Sequence, residues 1–156
     1  MAEPAEGRWT VEEFLAWDDG TDRRYELLLG KIIEIPLQPE AHGAIMGALG
    51  ALLYGRLERP CRGLIRGGVV PPDRNDTYYQ ADLLVTCVPP VRGRQYPPEP
   101  VLIAEVVSAS TAIVDRGQKL EDYRQLPSVK RSSWWPAKSA GFSTGAGTGP
   151  AGWSTT

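Results

Sequence analysis

Histidine is nearly missing from this chain of 156 residues, His42 being the single one. No Ser/His/Asp triad can be built convincingly around it, and its place after "PEA", at the start of a helical stretch, favours an N-terminal or surface role. Cysteine is also scarce. Cys61 and Cys87 stand apart without CxxC spacing, so neither a zinc site nor a disulfide framework is expected, and two free thiols are the default. No apolar run is long enough to span a bilayer. The opening "MAEPAEGRWT" has no basic segment followed by an apolar one, so a cytoplasmic protein is expected. Acidic residues are absent after Asp122, whereas residues 1–129 carry 14 basic and 19 acidic groups, a net charge of −5. That body offers no electrostatic footprint for tight, non-specific nucleic-acid binding, so such an activity would need local basic groups or divalent cations.

Ordinary soluble-protein composition remains, with 42% apolar and 23% charged residues, enough for one domain and one modest core. Thr10 with Glu13 in "TVEEFLAW" is a capping-box signature and predicts a short helix over about 10–18. "RYELLLGKIIEIP" (24–36) predicts a tight hairpin around Gly30-Lys31. Ile45, Leu49, Leu52, Leu53 and Leu57 recur at helical spacing within 41–58. Residues 61–70, 78–88 and 101–108 read as strands, the proline-rich 89–100 as a loop, and 115–126 as a helix with Asp115 as its N-cap. Helices alternating with short strands predict an α/β or α+β domain around a small mixed sheet.

The text changes at Lys130. Of the 27 residues from there on, 18 are Gly, Ser, Thr or Ala, none is Leu, Ile, Val or acidic, and three of the five tryptophans lie among them. Such a segment is expected to build neither strand nor packed layer, so the chain divides into a domain over 1–129 and a disordered or out-of-frame tail over 130–156. The genetic code supports the second description. Trp134-Trp135 must be TGGTGG. If Ser132 and Ser133 use TCN codons, a shift back by one base turns 132–136 into five apolar residues, the text of a strand. A frameshift near Lys130 would then have replaced the domain's last strands.

Two carboxylates are embedded in strand text, Asp82 in "QADLLVTCV" and Glu105 in "LIAEVVS". A charge buried alone costs several kcal/mol, so Glu105 must be paired, protonated, at an edge or holding a cation. On neighbouring strands the two could share magnesium, which takes oxygen ligands, commonly one or two carboxylates plus water. Lys119 follows on the next helix, where its ammonium could reach an attacked phosphate. Asp115, Lys119 and Tyr123 share one helix face, and Glu26 in the hairpin is a further acidic candidate. Each has a plain structural alternative: capping of backbone groups for Asp82, an ion pair for Glu105, a solvated lysine for Lys119. Arg62, Arg66, Arg92 and Arg94 are scattered cations able to meet phosphates, with a solvated face as the default.

The succession "TVEEFLAW", "RYELLLGKIIEIP", "DLLV", "EVVSAST" and "DRGQKLEDYRQL" resembles the bacterial Uma-two family of restriction endonucleases, in the PD-(D/E)xK nuclease superfamily, over about residues 9–129. The resemblance implies a restriction-endonuclease-like core and a Mg2+- or Mn2+-dependent endonuclease acting on DNA, with a homodimer as one available assembly. It implies Asp82 and Glu105 as metal ligands, assisted by Glu26, with Lys119 as the catalytic lysine and Tyr123 as the supporting aromatic. The superfamily's usual lysine position, two residues after the acid, is Val107 here, and the residue before the first acid is Ala81 in place of proline. An inactive remnant or non-catalytic binding module of the same fold is the alternative, favoured by the tail. A hydrolase of smaller phosphoesters is a third.

Overall fold

The structure, a computed structural model, describes residues 7–107 and 113–136. Helix α1 (Val11–Ala16) starts at the predicted capping box, in which the Thr10 hydroxyl accepts from Glu13 N and the Glu13 carboxylate accepts from Thr10 N. Strands β1 (Arg24–Leu28) and β2 (Lys31–Ile35) form an antiparallel hairpin. Its two-residue turn is Leu29-Gly30, one residue earlier than expected, and both have positive φ (51° and 77°), the geometry that matches the twist of paired strands. Phe14, Leu27, Tyr78 and Val11 bury a small core between α1 and this hairpin.

Helix α2 (Glu40–Tyr54) stops four residues short of the sequence expectation, at Gly55. The main sheet follows, from β3 (Arg62–Val69), β4 (Tyr79–Thr86), β5 (Pro100–Val107) and β6 (Arg131–Pro136), in that spatial order. The first three pair antiparallel and β6 joins β5 in parallel. Helix α3 (Ile113–Arg124) links β5 to β6. Successive strand residues point to opposite faces. Leu83, Ala104 and Val106 meet Met46 of α2, whereas Leu84 and Ile103 meet Tyr123 and Leu126, so α2 and α3 cover opposite faces.

Three expectations are corrected. The tail was expected to build no strand, yet Arg131–Pro136 pairs along β5, because parallel pairing draws on backbone N–H and C=O groups, which every residue before the terminal Pro136 supplies whatever its side chain; residues 137–156 lie outside the described residues. Asp115 is not an N-cap, since α3 begins two residues earlier at Ile113. Cys61 and Cys87 are not free thiols but a disulfide. The β3–β4 register explains this: the pair beyond Arg62 and Thr86 is Cys61 and Cys87, a neighbourhood made by the sheet that motif spacing does not reveal.

Candidate metal-dependent hydrolytic site

The β4–β5 ladder runs to Leu83 and Ala104 and then stops. The next residues in register are Asp82 and Glu105, and there side chains take over the pairing: Val106 N donates to Asp82 Oδ2 at 2.8 Å, and Asp82 N lies 3.4 Å from Glu105 Oε2. Further along the same edge of β4, Gln80 N donates to Glu26 Oε1 at 2.7 Å, and Tyr78 exchanges two backbone hydrogen bonds with Leu27. Alternate residues of one strand thus bring Asp82, Glu105 and Glu26 to one opening. The hairpin fills the space that β5 leaves.

Lys119 reaches across this opening from α3. Its Nζ lies 2.8 Å from Glu26 Oε1 and 3.2 Å from Glu105 Oε1, and it sits over the ring of Tyr79 at 5.3 Å. Burial alone would pull this ammonium down, but the charges of Glu105 and Glu26 outweigh it and hold its pKa well above the usual lysine value. The two carboxylates thus favour the charged form of Lys119, which suits it to hold an anion more than to act as a base. Burial pushes the Glu105 carboxyl up, as does Asp82 beside it, against the downward pull of Lys119. Tyr123 is fully buried, and its hydroxyl donates to Glu105 Oε1 at 2.8 Å. Burial and then the Glu105 charge keep that phenol protonated.

All five residues singled out in the sequence, Glu26, Asp82, Glu105, Lys119 and Tyr123, therefore converge. The plain alternatives for Asp82 and Glu105 are also realised, since Asp82 caps the Val106 amide and Glu105 pairs with Lys119. The two roles are compatible, because Asp82 Oδ1 and Glu105 Oε2 retain lone pairs for a further partner. Asp115 side-chain geometry lies outside the described residues.

Two participants were missed. His42 is not at the surface: it is buried in the first turn of α2, its Nε2 lies 3.1 Å from Asp82 Oδ1, and its Nδ1 has no partner among the described residues. Asp122, also buried, accepts from Tyr79 at 2.6 Å and Gln118 at 3.0 Å and pairs with Arg74 at 3.5 Å, which fixes α3 against the sheet. Its only sequence signal was an acid one residue before the helix's buried tyrosine.

The donor set fits a hard divalent cation. It consists of carboxylate oxygens with no thiolate, and three carboxylates face one ammonium. Among the described residues no cluster of three or more His, Cys, Asp or Glu side chains is arranged around a single ion position. Asp82 and Glu105 would thus hold such an ion as a two-carboxylate site completed by water and substrate, as magnesium commonly is.

A model of the Uma2 family, described as "Putative restriction endonuclease", matches residues 11–135. No curated protein matches the chain. Among solved structures, a protein from Anabaena variabilis ATCC 29413 described as "a putative nuclease belonging to DUF820" shares the fold with a TM-score of 0.66 at 17% identity, over 82% of this chain and 74% of that one. No helix among the described residues is long and apolar enough to cross a membrane.

Proposed function

As the chain belongs to the Uma2 family of restriction-endonuclease-like proteins, we propose that it hydrolyses DNA phosphodiester bonds at the Asp82–Glu105–Lys119 centre. The observation that carries this is the Lys119 bridge: one desolvated ammonium held between Glu26 and Glu105, next to Asp82, where the β4–β5 ladder opens. Asp82 and Glu105 would hold Mg2+, or Mn2+ in its place. When bound, the ion supplies an acidified water and charge neutralisation at the phosphate. Lys119, kept protonated by its two carboxylates, donates hydrogen bonds to a phosphate oxygen and stabilises the charge that grows there. Tyr123 fixes the Glu105 rotamer from below, and Glu26 holds Lys119 in reach. The acidity of residues 1–129 is compatible with weak DNA binding that depends on the cation.

A second reading, a non-catalytic module of the same fold, is favoured by the Gly/Ser/Thr-rich text after Lys130. Two measurements separate them. Titration calorimetry of Mn2+ into wild type and Glu105→Gln should show binding that the variant loses. Plasmid nicking in Mg2+ should stop with EDTA and fall by about 10²-fold or more in Glu105→Gln and Lys119→Met. A folded protein that binds Mn2+ and cuts nothing is the module; one that binds no Mn2+ at all removes the hydrolytic reading.

A further inference from the structure

Two guanidinium groups near this centre have no role in it. In β3 the register pairs Ile65 with Leu83 and Gly67 with Ala81, which leaves Arg66 opposite Asp82. Arg66 does not pair there. Its φ is 56°, the left-handed region, which a side-chain-bearing residue enters mid-strand only at a cost, although glycines occupy the next two positions. Arg66 is exposed, and it stands opposite the residue at which the β4–β5 ladder opens.

Arg24 starts β1. Because β1 runs antiparallel to β4 through the Leu27–Tyr78 bridge, its first residue lies toward the Asp82 end. Arg24 is half-buried and feels Arg66, Asp82 and Glu26, and its pKa is depressed first by burial and then by the Arg66 charge. Among the described residues neither arginine makes an ion pair. The nearby carboxylates are already engaged, Asp82 with His42 and the Val106 amide, Glu26 with Lys119 and the Gln80 amide. Two like charges that repel each other, one partly desolvated and one held on strained backbone, lack an anion among the described residues.

We propose that Arg24 and Arg66 form a phosphate clamp beside Asp82, which grips the DNA backbone next to the bond to be cut. It rests on the nuclease reading and answers the difficulty raised by the acidic body, since the cations that DNA needs are concentrated at the site. The arginine fork matches the paired oxygens of a phosphodiester and cannot lose its charge. The clamp positions substrate and takes no part in bond cleavage.

The test is fluorescence anisotropy of a labelled DNA duplex, titrated with salt, in Ca2+ to neutralise the carboxylates. Wild type, Arg24→Gln, Arg66→Gln, Arg66→Gly and a control, Arg92→Gln in the exposed stretch 89–95, are compared. Each clamp variant should bind more weakly, with the slope of log K against log salt reduced by about 1, whereas the control leaves both unchanged. All four variants should still bind Mn2+, and the clamp variants no more weakly than wild type, because each removes a cation from beside the carboxylates and not a ligand. Arg66→Gly should also melt higher than wild type, because it relieves the backbone while losing affinity. If the clamp variants bind with wild-type affinity and slope, the clamp is wrong and the nuclease reading stands. If wild type binds no duplex at any salt, the clamp is wrong as well; plasmid nicking then judges the hydrolytic reading separately.

Discussion

At the scale of single residues, Glu105 holds the central conflict: a carboxylate in a core strand with its charge opposed by burial. Its raised pKa means that the folded state holds the proton more tightly than the unfolded chain. That contribution to stability is complete below the ordinary glutamate value of about 4.3 and is lost as pH rises through the raised folded value. Glu105→Gln, which keeps the shape and the Tyr123 contact, should therefore be more stable than wild type at pH 7.5, with the gap closing at pH 4; urea titrations at the two pH values measure it. The same variant should lose Mn2+ binding, a trade of stability for function that active sites often show. His42 acts one step further out, as a positioning residue. Its hydrogen bond orients Asp82, so His42→Ala should weaken Mn2+ binding by about 10- to 100-fold with an unchanged circular dichroism spectrum. The four acid and lysine positions and Tyr123 were legible in the sequence because a charge inside strand text, or on the face of the following helix, is conspicuous. A lone histidine in a glycine-rich helix carries no such mark; only the packing of α2 on the sheet assigns its partner.

At the scale of elements, the hairpin turn is the most exacting joint. Gly30 has φ 77°, and a Cβ added there would lie 2.8 Å from Arg8 Cβ. Gly30→Ala should cost about 1–3 kcal/mol in urea unfolding, from backbone strain together with the collision. Because β1 carries Glu26 into the opening, the loss should extend to the salt bridge with Lys119. The hairpin, the three antiparallel strands and both long helices were legible because their apolar periodicity and turn residues agree. The turn's position shifted by one residue because Leu29 adopts the left-handed conformation that glycine or asparagine usually takes. Strand β6 was illegible for a different reason: "RSSWWP" has neither alternation nor β-branched residues, and its pairing depends on the exposed edge of β5.

At the scale of the whole molecule, β6 protects that edge. A chain ending at Lys130 should aggregate, as measured by light scattering, because β5 would present unpaired backbone groups beside its apolar residues. The out-of-frame origin proposed for residues 130–156 has its own test in the coding DNA. TCN codons for Ser132 and Ser133, with an open shifted frame beyond them, support it; AGY codons or an early stop overturn it. If it is correct, restoring the frame should give a protein that melts higher, because the restored strand would add apolar side chains to the sheet.

The interrupted β4–β5 ladder has one more consequence. Asp82 meets Glu105, His42 and the Val106 amide only in a single alignment of the two strands, and a slip by one position would offer Ala81 or Leu83 in its place. If the centre binds a divalent cation as proposed, affinity for that cation is a gauge of whether the sheet has been threaded correctly. A preparation could look well folded by its overall secondary structure, and its misaligned fraction would be counted by the ions it fails to take up.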